Sequence, residues 1–356
     1  MNVIASRVEN FCQRFGLRMP ILLAPMAGAC PPSLSISVMR AGGAGACGVL
    51  LMSRDEIVAW VSEVRAQGNG VFQLNNWIPD PPPARNLEHE TRVRTFLAQW
   101  GPPVPAEAGD APPPDFAEQC ETILEMRPPI VSSIMGLYPP DWVARFKSCG
   151  ASWFANVTTL AEARAAEAAG ADVIVAQGSE AGGHRGCFDA EQAERKQVGL
   201  FALLPAIVDA VKLPVIASGG IADARGVAAA LMLGASAVQI GTGFLRCPEA
   251  KIPQAWADAL AHTAPEDTLV SRVFSGRAGR SIATAYVRAA TAPGAPAPAP
   301  YPVQRGLTAG MRKAAQQAND VERMQAWAGQ SAALAGAESA QQLAERIWSN
   351  ACAMVM

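Results

Sequence analysis

Short apolar runs of strand length alternate along the chain with segments of helical spacing. The apolar runs are residues 21–26, 45–51, 70–75, 129–135, 152–157, 173–176, 214–218 and 235–242. Runs this short and this rich in β-branched residues predict buried strands. In the intervening segment 54–67, apolar residues recur at helical spacing, which predicts a helix. Eight such strands alternating with helices favour a TIM (β/α)8 barrel over the alternative, an open doubly wound sheet.

Three junctions between a helix and the next strand resemble one another. They read CGASWFANV from residue 149, AGADVIVAQ from residue 169 and LGASAVQIG from residue 233. Each consists of a helix end, a glycine, a small residue and an apolar run. Thr159 to Glu162 is a predicted capping box that opens one of the helices, which is expected to end at Gly170. The repetition indicates recurring βα units, which supports the barrel.

The pattern changes in two places, and these changes predict the domain organisation. Residues 79–114 are rich in proline, with one helical patch at 88–100, and are expected to form an excursion from the barrel. After residue 242 the order of elements becomes irregular. We therefore predict a barrel over 1–245, a smaller cap over 246–330 and a C-terminal helix within 331–356 that returns to the barrel. Within the last two parts, the predicted elements are helices at 253–262, 310–328 and 338–353, a strand at 269–275 and an Ala/Pro run at 290–302.

Composition and charge exclude several classes of function. Half of the 356 residues are hydrophobic and the net charge is −2, which is typical of a globular chain and gives no basic surface for nucleic acid or a membrane. There is no apolar run of membrane-spanning length and no signal-peptide pattern. The eight cysteines form no CxxC pair and no zinc spacing, so we expect reduced thiols, a cytoplasmic protein and no metal site.

Candidate chemistry gathers where the predicted strands end, which is where barrels carry their active sites. The sixth strand runs into the loop 177–187, which contains Gly182, Gly183 and one of only three histidines, His184. The glycines allow a ligand to approach the backbone, which favours a functional His184 over an ordinary loop histidine. Cys187 is close enough in sequence to be a candidate nucleophile, although a small half-buried residue is the simpler interpretation.

Glycines after strands seven and eight indicate a phosphate site. Gly219-Gly220 and Gly241-Thr242 would present backbone N–H groups near helix N-termini, where phosphates bind. The alternative is that these glycines only permit tight turns. The side chains at the other strand ends are mainly amides and small residues, which suit a heteroaromatic ring such as a flavin. Pro25 and Met26 could pack on one face of that ring.

These motifs resemble the nitronate monooxygenase family, formerly called 2-nitropropane dioxygenases. The resemblance rests on PILLAPMAGA from residue 20, VIVAQGSEAGGHRG from residue 173 and the stretch 214–245. SGRAGR at 275–280, Tyr301-Pro302 and the WAGQ segment at 327–330 resemble class I members. The resemblance implies a barrel with a cap and non-covalent FMN. It implies FMN contacts at Ala24, Pro25, Met26, Asn75, Gln177, Gly182, Gly183, Ser218, Gly219, Gly220, Gln239, Ile240, Gly241 and Thr242.

The activity that the resemblance implies is oxidation of alkyl nitronates with O2 to carbonyl compounds and nitrite. His184 would bind the anion when charged or act as a base when neutral, and Tyr301 would lie in the substrate pocket. The lysine expected shortly after Tyr301 is absent, with Arg305 before and Lys313 after its place. Two alternatives stay open: an NAD(P)H-dependent FMN reductase acting on quinones or enoyl thioesters, and a non-catalytic flavin-binding accessory protein. The expected partners are a small-molecule nitronate and O2, without nucleic acid or membrane, and a homodimer stays open.

Overall fold

The computed structural model describes residues 3–68, 70–110 and 112–355. Met1, Asn2, Asn69, Ala111 and Met356 are outside the described residues. The outermost positions of the predicted domains 1–245 and 331–356, and one position of the excursion 79–114, fall on them. Within the described residues, no helix is long and apolar enough to cross a membrane.

The barrel consists of eight parallel strands that close on themselves. The described residues contain further strands besides these eight, and all are numbered in chain order. They are β1 Ile21–Leu23, β2 Gly45–Gly48, β3 Phe72–Trp77, β4 Ile130–Ile134, β5 Ser152–Val157, β6 Val173–Gln177, β7 Gly183–His184, β8 Val215–Ser218, β9 Ala237–Ile240, β10 Thr268–Ser271 and β11 Gly279–Ile282. The large sheet has the order β1-β9-β8-β6-β5-β4-β3-β2, and a parallel bridge between Leu22 and Ala44 joins its first and last strands. The predicted TIM barrel is therefore confirmed. The remaining strands form a separate sheet of order β10-β11-β7.

Helices surround the barrel and build the rest of the chain. The α-helices are α1 Val3–Phe15, α2 Pro32–Ala41, α3 Arg54–Gln67, α4 Leu87–Leu97, α5 Phe116–Met126, α6 Pro140–Ser148, α7 Leu160–Ala168, α8 Leu200–Val208, α9 Ala224–Met232, α10 Gln254–His262, α11 Ala285–Ala290, α12 Val303–Leu307, α13 Ala309–Gln317 and α14 Ala340–Val355. Short 3-10 helices lie at Ala106–Gly109, Thr242–Phe244, Pro248–Ala250, Pro265–Asp267, Val321–Arg323 and Ala332–Leu334. The last α-helix, α14, packs against α2 and α9 on the outside of the barrel.

Local sequence explains where several helices begin. Ser53 and Glu56 form a reciprocal capping box at the start of α3, which satisfies two backbone donors at once. Thr159 caps α7 as predicted, but the carboxylate of Glu162 accepts from the N–H of Thr158 instead of from that of Thr159. The interaction at α7 is therefore a cap plus a buried turn, not the reciprocal box that the sequence predicted.

Several predicted bounds are wrong, and the largest errors lie outside the barrel. The predicted helix 310–328 ends at Gln317, because Asn319 has a φ of +51°, a left-handed conformation that stops a helix. The predicted strand 269–275 ends at Ser271. Strands 45–51 and 235–242 were predicted too long, since β2 and β9 have four residues each. Helix α1 has an amphipathic pattern that was missed.

A second hydrophobic cluster lies outside the barrel core and contains residues of segment 246–330, which is called the cap below. This cap cluster consists of Val93, Leu97, Val273, Phe274, Tyr286, Val287, Ala299, Val303, Leu307 and Met311. Its members come from α4 of the excursion as well as from the cap segment. The excursion therefore packs against the cap, although in sequence it lies between two strands of the barrel, β3 and β4.

Candidate functional site

A cavity opens at the carboxyl ends of the barrel strands. Together with the solvent space at its open mouth, it contains about 1510 Å³. The predicted site residues that line it are Ala24, Pro25, Met26, Asn75, Gln177, Gly182, Gly183, His184, Ser218, Gly219, Gly220, Gln239, Gly241 and Thr242.

Two predicted residues lie outside the cavity wall. Ile240 ends β9 with 1% of its surface exposed, so its side chain belongs to the barrel core. Tyr301 does not line the cavity, but its ring stacks on the lining residue Trp77 with a centroid separation of 4.9 Å. Tyr301 thus contacts the site through a second aromatic ring.

Unpaired backbone donors gather at the ends of β8 and β9. The N–H groups of Gly219, Gly220, Gly241 and Thr242 donate to no described residue. Backbone N–H groups of this kind bind phosphate in many barrels. Gly219 and Gly220 have φ values of +104° and +69°, a region that residues with a Cβ rarely adopt. These four residues therefore form a place where a phosphate group could bind.

Amide side chains form the floor of the cavity. Gln73 donates through Nε2 to Gln239 Oε1 at 3.1 Å, and Asn75 donates through Nδ2 to Ser132 Oγ at 2.9 Å. Gln177 is predicted as a cofactor contact, yet both ends of its amide hold the loop that follows β6. Its Nε2 donates to the carbonyl of His184 at 3.1 Å, and its Oε1 accepts from the N–H of Gly186 at 2.8 Å.

The cap holds His184 in place. Strand β7 pairs with β11 of the cap, so that His184 lies opposite Gly279. The Nε2 atom of His184 is 2.8 Å from Ser275 Oγ. Gly279 is required at this pairing, because a Cβ there would lie 2.9 Å from the ring of Trp327. The SGRAGR motif therefore contacts the histidine loop directly.

Arg277 of the same motif links three segments of the chain. Its guanidinium donates to both carboxylate oxygens of Asp80, at 2.7 and 2.8 Å, and to the carbonyl of Cys187 at 3.0 Å. Asp80 belongs to the excursion, and Cys187 to the loop that carries His184. Because Arg277 is only 1% exposed, this ion pair fixes the excursion and the histidine loop to the cap.

Aromatic rings surround His184 on two sides. The ring centroid of Trp77 is 4.8 Å away at an edge-on angle, and that of Trp327 is 4.9 Å away. Trp327 belongs to the WAGQ segment, which also contributes Gly329 to the cavity lining. In that segment the N–H of Gly329 donates to Thr242 Oγ1 at 3.0 Å. These contacts join the cap to the predicted phosphate end of the cavity.

The surroundings of His184 favour its neutral form. Burial lowers its pKa from 6.5 to about 3, with further lowering by the positive charges of Arg277, Arg305 and Arg312. The sequence left open a charged histidine that binds an anion, and the lowered pKa favours the neutral ring instead. His184 can accept or donate a hydrogen bond as a neutral ring, while positive charge comes from arginines.

Arg305 is the permanently charged side chain among the described residues that line the cavity, and no lining residue is acidic. It lies on α12. Arg312 lies behind it and donates to the carbonyl of Arg305 at 2.9 Å. Burial lowers the pKa of Arg312 to about 10, so both arginines remain cationic. This end of the cavity is electropositive.

Three other residues of the histidine loop have structural tasks. Glu180 accepts from the N–H of Leu200 and so caps α8. Arg185 is 4% exposed and donates to the carbonyl of Gln177 at 2.7 Å. Cys187 is buried, and burial raises the pKa of its thiol, which disfavours a nucleophilic thiolate.

Sequence reasoning missed the residues that tertiary packing brings to the site. Trp77, Ser275 and Gln73 line the cavity without belonging to the predicted site. Ser275 opens the SGRAGR motif, and Trp77 lies two positions after the predicted strand 70–75. The motif and the strand end were the signals for these two residues. Arg305 lies near the place where the family resemblance implies a lysine.

Comparison with known proteins places these motifs in a wider group. The family described as "Nitronate monooxygenase" matches residues 10–350. The chain is 38% identical to a nitronate monooxygenase of Paraburkholderia phytofirmans, covering 93% of this chain and 92% of the relative. It is 36% identical to a nitronate monooxygenase of Pseudomonas aeruginosa, covering 92% and 94%.

Two solved structures are similar to this chain over nearly its whole length. The structure of a nitroalkane oxidase from Streptomyces ansochromogenes is similar with a TM-score of 0.86 at 33% identity, covering 95% of this chain and 97% of that one. FabK from Thermotoga maritima is similar with a TM-score of 0.75 at 27% identity, covering 97% and 96%.

Proposed function

Because this chain belongs to the nitronate monooxygenase family, a family of flavin-dependent oxidoreductases, we propose that it binds FMN and oxidises alkyl nitronates with O2. Two nitronate anions and one O2 give two carbonyl compounds and two nitrite ions, so that each nitronate gains one oxygen atom. The observation that carries the proposal is one cavity with unpaired amide donors at one end and a neutral histidine among arginines at the other.

The cofactor would be held mainly by backbone groups. The N–H groups of Gly219, Gly220, Gly241 and Thr242 would bind its phosphate, since they have no partner among the described residues. Pro25 and Met26 would flank the ring, with Asn75 and Gln239 offering amide groups to its polar edge. When bound, FMN supplies an acceptor for the electrons of the nitronate and passes them to O2.

The protein's own residues would bind and orient the substrate. Trp77 and Trp327 flank His184 and would exclude water from the substrate. The neutral ring of His184, fixed through Ser275, would hold a hydrogen bond to the nitronate. The electropositive surroundings favour an anionic substrate over a neutral one.

The cysteines bear on the cellular compartment of the protein. All eight cysteines are free thiols, which is typical of a reducing compartment. We therefore propose a cytoplasmic location.

Product analysis tests the proposal. Purified protein carrying FMN is mixed in air with the nitronate of 2-nitropropane, and acetone, nitrite and O2 are measured. We expect acetone and nitrite in equal amounts with consumption of O2. Nitrite at the level of a protein-free blank would contradict the proposal. Rapid turnover with NADH and a quinone, in the absence of nitrite formation, would instead support a reductase, the function that remains open from the sequence.

A further inference from the structure

We propose that Arg305 binds the anionic head of the substrate and makes this site select nitronate anions over neutral nitroalkanes. The inference rests on the proposed function and assigns one residue of this chain to substrate choice.

The first argument is charge balance inside the cavity. Among the described lining residues Arg305 alone carries a permanent charge, and none is an aspartate or glutamate. Its guanidinium makes no hydrogen bond or ion pair with any described residue. A half-buried cation without an acceptor is costly unless a ligand supplies one. An anionic ligand would therefore stabilise the guanidinium of Arg305.

Arg305 lies at the substrate end of the cavity, away from the backbone donors that would bind phosphate. Arg305 lies on α12 and lines the same cavity as His184. It follows Tyr301, whose ring stacks on Trp77 beside His184. The amide donors that fit the FMN phosphate lie after β8 and β9, on different segments from α12. Arg305 is thus placed for the substrate.

The third argument is how firmly the residue is held. Arg312 donates from Nη2 to the carbonyl of Arg305 at 2.9 Å, from Nε to Thr308 Oγ1 at 3.1 Å and from Nη1 to Gln325 Oε1 at 3.2 Å. These contacts fix the backbone of α12 and leave the guanidinium of Arg305 free. They also bring a second cation behind the first without a carboxylate partner, which strengthens the attraction for an anion.

The chemistry of the head group matches a guanidinium. A nitronate ends in a planar group with two oxygens that carry the negative charge, and a guanidinium presents two parallel N–H donors in one plane. A neutral nitroalkane has the same two oxygens but no net charge, so its interaction with Arg305 is weaker. The low pKa of His184 also makes it a weak base for removing a C–H proton, which favours a substrate that arrives as the anion.

Isobutyrate is the probe for this site, because it is isosteric with the nitronate of 2-nitropropane and cannot be oxidised in the same way. Its binding to FMN-loaded protein is measured by isothermal titration, and FMN affinity is measured separately by fluorescence quenching. Arg305→Met removes the charge at similar length, and Arg305→Lys restores a charge without the planar fork. Arg288→Met is the matched control, since Arg288 lies in the cap, 66% exposed, and does not line this cavity.

We expect R305M to weaken isobutyrate binding by about 10–100-fold, R305K to recover part of it, and R288M to change it less than about twofold. FMN affinity should stay within about twofold in all three variants. In turnover, R305M should raise KM for the nitronate and reduce the preference for nitronate over neutral 2-nitropropane.

Three results would overturn the inference: no saturable binding of isobutyrate to the wild type, unchanged binding in R305M, or a loss of FMN affinity in R305M that places Arg305 on the cofactor. The isobutyrate titration does not depend on turnover. If the probe binds through Arg305 but nitronates give no nitrite, the anion site stands and the proposed function fails. If nitrite forms equally well in R305M, the function stands and the assignment of Arg305 fails.

Discussion

The ion pair between Asp80 and Arg277 joins the excursion to the cap, and Asp80→Asn tests how much it stabilises the fold. The side chain of Arg277 is 1% exposed and that of Asp80 20% exposed, and their two contacts are 2.7 and 2.8 Å long. Removing one partner of a buried pair costs about 3–5 kcal/mol. Because Asp80 keeps some contact with water, we expect D80N to lower the free energy of unfolding by about 2–4 kcal/mol.

Urea unfolding of the FMN-loaded protein, followed by tryptophan fluorescence and circular dichroism, measures this change. Glu194→Gln is the matched control, because Glu194 pairs with Arg272 at 3.1 Å with side chains 45% and 25% exposed. An exposed pair of this kind contributes about 0–1 kcal/mol. If D80N costs less than about 1 kcal/mol, or if E194Q costs as much as D80N, burial does not decide the strength of these pairs and the reasoning is refuted.

The remaining predictions concern His184 and the glycines. With a pKa of about 3, His184 stays neutral above about pH 4, so kcat/KM should show no histidine titration, and a midpoint near 6.5 would contradict this. In the unfolded chain His184 binds a proton below its pKa of 6.5, whereas in the folded protein it does so only near pH 3. The free energy of unfolding therefore falls as the pH drops from 6.5 towards 3. Urea unfolding at several pH values should show a smaller fall in His184→Asn than in the wild type, and an equal fall would count against the prediction. Gly219→Ala places a Cβ 3.0 Å from the N atom of Ala181 at a φ of +104° and should weaken FMN binding about tenfold or more, measured by fluorescence quenching. Gly150→Ala, with a φ of +82° and open space around the Cβ, should leave FMN binding unchanged; equal losses would mean that backbone strain alone explains G219A.

The barrel could be predicted from the sequence because its signals are local. Each strand is a short apolar run, and the glycine of each junction sits where the helix ends, as at Gly170 with a φ of +91°. Glycine pairs such as Gly219-Gly220 also mark a local backbone requirement. The strand at 45–51 was predicted too long because the residues after β2 are still apolar, and only pairing with a neighbour decides where a strand stops.

The cap and the substrate end could not be predicted in the same way, because they depend on contacts between distant segments. Helix α4 of the excursion is amphipathic, but nothing local indicates that its partners are Val303 and Met311. The neutral form of His184 is favoured by burial and by arginines about ninety or more positions away in the sequence. Neither cause is visible locally, so the sequence alone indicated an ordinary histidine pKa near 6.5. Arg305 was interpreted through a missing lysine, and only its place in the cavity showed that it offers a charge there.

Anaerobic mixing of the FMN-loaded protein with an alkyl nitronate tests the central claim most directly. The flavin absorbance is followed in a stopped-flow spectrometer, with NADH and the neutral nitroalkane as the comparison reagents. The account predicts rapid loss of the oxidised flavin spectrum with the nitronate, little change with the neutral nitroalkane and none with NADH. A flavin that stays oxidised with the nitronate but is bleached by NADH would contradict it.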